Sequence, residues 1–135
     1  MKRQYTGRCH CGDVKFEVMA DIAAGTHKCN CSVCAKSRFW SVDSLPSDLR
    51  LLSPPEMMNV FRGPNPVAEH PFCKRCGIRP FQRIGMPNMS GHEYLNVNIA
   101  CLEAVDVDEL MAAPITFYDG LHDKWGERPQ EVRHL

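Results

Sequence analysis

The sequence predicts a mainly β fold of short strands pinned by metal, and three observations point to it. Eight cysteines stand in 135 residues, and seven of them lie in tight clusters. Ten prolines and nine glycines break the chain often, which favours short strands and loops over a helical bundle. Several segments alternate apolar and polar residues with period two, the pattern of half-buried strands. The length suits one domain spanning 1–135, and 44% apolar residues suffice for one modest core.

Taken in order, residues 3–8 and 13–19 flank Cys9-His10-Cys11-Gly12-Asp13 and read as a hairpin whose turn carries Cys9 and Cys11. Gly12 follows the second cysteine, where a knuckle-like turn needs φ > 0. His10, between the two cysteines, is expected to point to solvent. Next comes His27-Lys28-Cys29-Asn30-Cys31-Ser32-Val33-Cys34, read as a loop that enters a short helix near Cys34. Phe39–Val42 and Glu56–Phe61 read as strands, with the break Ser53-Pro54-Pro55 between them and a turn over 62–66 after them. Phe72-Cys73-Lys74-Arg75-Cys76-Gly77 is a second knuckle. Ile78–Ile84 reads as a strand and 85–91 as a loop. In Glu93–Ile99, Tyr94, Asn96 and Asn98 share one face and Leu95, Val97 and Ile99 the other. Asp106–Met111 opens with acids and reads as a capped helix stopped by Pro114. Ile115–Gly120 is a last strand, and the polar tail is expected to pack through Trp125.

The cysteine spacings carry the chemistry. With no secretion signal a reducing compartment is expected, so disulfides are disfavoured. C-x-x-C alone could be a redox motif. Here Cys9 and Cys11 supply two more ligands to Cys73 and Cys76, which makes a closed Cys₄ zinc site and staples the first hairpin to a later one. Cys29, Cys31 and Cys34 offer three thiolates, enough to hold Zn²⁺ and one short of closing its tetrahedron. An open fourth position separates a catalytic zinc from a structural one. Cys101 is either a fourth ligand or a small core residue.

Sixteen basic and sixteen acidic residues give zero net charge, so no global field draws nucleic acid or an anionic membrane. The N-terminus lacks the apolar run of a signal peptide and no segment could span a bilayer. The expectation is a cytoplasmic protein without nucleic-acid or membrane partners.

Gly7-x-Cys9-x-Cys11-Gly12, then Cys29-x-Cys31-x-x-Cys34, then Phe72-Cys73-x-x-Cys76-Gly77 resembles the glutathione-dependent formaldehyde-activating enzyme family, also found as the centromere protein V domain. The resemblance runs from about Gly7 to Glu103. It implies small antiparallel sheets packed together in a β-tent-like fold with one or two short helices. It also implies structural zinc on Cys9, Cys11, Cys73 and Cys76 and a second, catalytic zinc on Cys29, Cys31 and Cys34. The implied activity is that of a carbon–sulfur lyase, with a thiol such as glutathione and an aldehyde as partners and a homodimer left open. Ile78-Arg79-Pro80-Phe81 departs from the more hydrophobic stretch of many members, in a strand expected to border the pocket, and leaves the substrate open.

A proton must move to or from the carbinol oxygen in such a reaction. His27, two residues before the first of the three cysteines, is the candidate acid/base, with Glu69, His70 and His92 as others. Lys28, Lys36, Arg38 and Arg79 are candidate cations beside the anionic centre. The competing readings are a zinc-stabilised interaction module without catalysis and a thiol-based sensor.

Overall fold

The computed structural model describes residues 1–63, 67–85 and 92–135. The turn expected over 62–66 and the loop over 85–91 lie partly outside them. The described residues form ten strands and two α-helices: β1 (Arg3–Arg8), β2 (Lys15–Ala20), β3 (Thr26–Cys29), α1 (Ser32–Ser37), β4 (Trp40–Ser44), β5 (Leu49–Leu51), β6 (Met58–Phe61), β7 (Ala68–Cys73), β8 (Phe81–Ile84), β9 (Tyr94–Asn98), α2 (Val107–Ala112) and β10 (Ile115–Tyr118). A three-stranded sheet runs β1-β2-β5, and a seven-stranded sheet runs β10-β3-β4-β9-β8-β7-β6. The fold is mainly β, as the sequence predicts.

The first hairpin forms as expected, with Arg3 opposite Ala20 and Arg8 opposite Lys15. Its alternation sends Phe16 and Val18 inward, both essentially fully buried. Val42, Leu95 and Val97 meet them from the larger sheet, and Ile99 from the turn that follows β9. The Phe16 and Phe81 rings meet edge to face at 5.8 Å. Each such side chain stabilises the fold by about 1.5–3 kcal/mol through burial.

Gly7 explains its place in the motif by packing. It lies opposite Phe16, and a Cβ added there would sit 2.2 Å from Phe16 Cζ. Because the ring is fully buried, it has no room to retreat. Gly7→Ala is expected to destabilise the protein by about 1–3 kcal/mol. A thermal melt checks this, and an unchanged midpoint would contradict it.

Several expected strands start or stop at a proline or a hydrogen-bonded turn. Ile78–Ile84 is a strand only from Phe81, because Ile78 closes the knuckle by accepting from Cys73 N and Pro80 has no N–H to give a ladder. Glu56–Phe61 is a strand only from Met58, after a 3-10 turn over Pro55–Met57. Asp106 caps α2, its Oδ1 accepting from Asp108 N at 2.9 Å and Glu109 N at 3.1 Å.

One pairing departs from the antiparallel expectation. β10 runs parallel to β3, with Tyr118 beside Cys29, and β3 itself lies where the sequence predicts a loop. His27, Lys28 and Cys29 are all half-buried, so no apolar alternation marks the strand. β5 and β7 are likewise strands that the apolar pattern does not announce, the first being three residues long and the second interrupted by Pro71. The tail packs as expected through Trp125, whose ring lies against Gly120. Among the described residues no helix is long and apolar enough to cross a membrane.

Candidate metal centre

All eight cysteines are free thiols. Two sets converge, in each case with sulfur atoms within 4.8 Å of one another. The first is Cys9, Cys11, Cys73 and Cys76. Cys9 and Cys11 sit on the β1–β2 turn, and Cys73 ends β7 with Cys76 in the turn that follows. Gly12 and Gly77 complete the two knuckles with φ of 85° and 76°, as the motif requires. Backbone N–H groups point at the knuckles: Val14 N lies 3.3 Å from Cys9 Sγ, and Gly77 N donates to Cys73 O at 2.9 Å. Cys9 and Cys73 are 1% and 0% exposed, which closes the cluster to solvent on that side. The Cys9–Cys11 and Cys11–Cys73 sulfur separations are 3.6 Å. Tetrahedral zinc with bonds of about 2.3 Å needs sulfurs roughly 3.8 Å apart, so the donor set fits zinc.

The second set is Cys29, Cys31 and Cys34. Cys29 ends β3, Cys31 is the N-cap of α1 and Cys34 is buried one turn on. Cys31 N lies 3.3 Å from Cys29 Sγ. The Cys29 and Cys34 thiols, joined by the N–H groups of Cys34 and Val33, pull the Cys31 thiol far down. Cys29 and Cys31 together with burial push Cys34 far up. The cluster thus stabilises one thiolate among shared protons, and a cation that replaces those protons gains all three sulfurs.

The tail holds this loop in place. Asn30, 9% exposed, donates to Asp119 Oδ1 at 2.8 Å and accepts from Leu121 N at 2.9 Å. Gly120 passes so close that an added Cβ would lie 2.8 Å from Cys29 Sγ. A small crevice of about 10 Å³ opens beside Cys29 and Cys34, bordered by Lys28, Arg38 and Phe39.

One face of the larger sheet carries the core, and the other carries polar groups next to this cluster. His27 lies on the second face. Its Nε2 faces Asp43 Oδ2 at 3.1 Å, its Nδ1 lies 3.1 Å from the Tyr118 hydroxyl, and its ring stacks on Tyr118 at 5.5 Å. With Nε2–H donating to the carboxylate, Nδ1 accepts from Tyr118 O–H. Burial, with Asp43 nearby, raises the Tyr118 pKa and keeps that hydroxyl a donor. The polar array continues across the strands: Asn96 donates to Asp43 at 2.7 Å, Gln82 to Asn96 at 2.8 Å and Arg79 to Gln82 at 3.3 Å.

The model of the family described as glutathione-dependent formaldehyde-activating enzyme matches residues 4–118. The chain belongs to this family. A crystal structure of a Rhodobacter sphaeroides protein shares 32% identity, covers 82% of this chain and 99% of its own, and superposes with a TM-score of 0.68. Membership in the glutathione-dependent formaldehyde-activating family supports a function tied to glutathione and formaldehyde, with both cysteine clusters compatible with zinc.

Within this family member, the structure sorts the candidates that the sequence left open. Cys101 belongs to the apolar core, its thiol 3.9 Å from Arg79 O and pushed up to about 12 by burial. It lies outside the three-sulfur cluster. Lys28 stands over the Trp40 ring at 4.7 Å, on the face opposite His27, and donates to Leu135 O. Lys36 and Arg38 are exposed. Glu69 pairs with Arg62, His92 sits beside Glu93 O, and His10 is exposed as expected. Arg79 and His70 lie beside the cluster's charges. Asp43, Gln82, Tyr118 and Gly120 are site neighbours that the sequence reading does not name. The alternation of Tyr94, Asn96 and Asn98 was the signal that could have found the first two, since it marks one face of the sheet as polar.

Proposed function

We propose that the protein is a zinc-dependent carbon–sulfur lyase acting on a thiol–aldehyde adduct of the S-hydroxymethylglutathione type, from glutathione and formaldehyde or a related pair. The observation that carries this is the three-sulfur cluster, one ligand short of a closed tetrahedron, set beside a sheet face lined with proton-handling groups. In this reading Cys9, Cys11, Cys73 and Cys76 hold a structural zinc, and Cys29, Cys31 and Cys34 hold the catalytic one. Zinc held by those three sulfurs would supply thiol activation, letting the sulfur leave, or attack, as thiolate at neutral pH.

The remaining work falls to the chain's own residues. In cleavage the carbinol O–H gives up its proton, the carbonyl forms, and the carbon–sulfur electron pair leaves with sulfur. His27 Nδ1 takes that proton through the Tyr118 hydroxyl, and Asp43 orients the ring and offsets the imidazolium charge. Condensation runs the same proton backwards. An interaction module needs neither the incomplete sulfur set nor this relay. The compartment proposed is the cytoplasm, where thiols stay reduced.

The test is turnover. The zinc-loaded protein, mixed with glutathione and formaldehyde, is expected to speed adduct exchange measured by NMR. His27→Asn should lower kcat by about 10²-fold or more. No acceleration with this pair or with related thiol–aldehyde pairs would favour the interaction module.

A further inference from the structure

We infer that Arg79 is the built-in counter-charge of the three-sulfur cluster, setting how tightly Cys29, Cys31 and Cys34 hold a metal ion. The inference rests on the zinc-dependent reading above and names a residue that acts through those ligands.

The backbone at Arg79 is clamped on both sides. Ile78 O accepts from Cys73 N at 2.9 Å, so residue 79 begins where the four-sulfur knuckle ends. Arg79 O accepts from Asn98 Nδ2 at 2.9 Å. From this anchor the guanidinium lies 4.5 Å over the Phe39 ring, and Phe39 N in turn donates to Cys34 O at 3.0 Å. One nitrogen, Nη2, donates to Gln82. The other two, Nε and Nη1, are buried and have no hydrogen-bond partner.

Two buried, unsatisfied guanidinium nitrogens are costly unless an anion faces them. The sulfurs of Cys34 and Cys31 are the anionic groups that act on the guanidinium. His70, 6% exposed, packs nearby with its own Nδ1 unpartnered. Burial and then Arg79 lower its pKa, so it stays neutral and leaves Arg79 as the cation. Three thiolates around a divalent ion leave one net negative charge, and a substrate thiolate makes it two. A fixed guanidinium offsets this without being free to leave, unlike the exposed Lys36 and Arg38.

The experiment titrates zinc alone against a chromophoric chelator in the full chain, resolving the two sites. Arg79→Met is expected to weaken the second site by about 10–100-fold and to leave the four-sulfur site unchanged. Arg79→Lys, which keeps the charge, should recover much of the loss. Phe39→Leu, which removes the ring under the guanidinium, should weaken the same site several-fold and serves if Arg79→Met fails to fold. Second-site affinity within twofold of the parent in Arg79→Met overturns the inference, as does a Lys variant as weak as the Met variant. Unchanged zinc affinity with a raised substrate KM also overturns it, because Arg79 then serves the substrate. A parent protein that takes no second zinc sinks the lyase reading itself, which separates the two failures.

Discussion

Cys73→Ser is expected to leave the chain without a cooperative melt and with one zinc fewer. Cys73 is fully buried, ends β7 and lies 3.6 Å from Cys11 Sγ on the first hairpin. Its sulfur therefore joins two parts of the chain that belong to different sheets. Structural zinc contributes about 10–16 kcal/mol of apparent free energy in zinc-finger peptides. A domain's whole stability is about 5–15 kcal/mol, so opening this site removes as much as the fold holds in reserve. Circular dichroism on heating, with a metal count, reads the result. A folded variant with an unchanged midpoint would show that the two knuckles do not share an ion.

Cys31→Ser is expected to do the opposite: keep the fold and lose the chemistry. Cys31 lies outside the apolar core and is the N-cap of α1, where its side chain makes no capping hydrogen bond. Serine is among the preferred N-caps, so the helix start tolerates or gains from the change by up to about 1 kcal/mol. The second cluster, however, falls to two sulfurs. One zinc per chain should remain, the melt should stay cooperative and turnover should drop to background. Retained turnover would remove Cys31, and the cluster with it, from the reaction.

What the sequence revealed, and what it concealed, follow from the same physics. Val18, Val97 and the capped start of α2 were legible because period-two alternation and an Asp cap are local signals. The two cysteine sets were legible because metal geometry forces short spacings, and the glycines at 12 and 77 take the positive φ that the knuckles demand. β3 was concealed because its polar face belongs to the candidate site: His27 and Cys29 occupy positions that a purely structural strand would fill with apolar residues. The parallel β10 could not be seen, since its register with β3 depends on a contact some ninety residues away in sequence, as in the Asn30–Asp119 bond. Asp43, Gln82 and Tyr118 carry no motif, and only folding brings them to one face.

X-ray absorption at the zinc edge, recorded while a thiol such as glutathione is added, reaches the central claim most directly. Two zincs per chain are expected, one with four sulfurs throughout and one that passes from three sulfurs to four. Two four-sulfur centres indifferent to the thiol, or a single ion per chain, would contradict it.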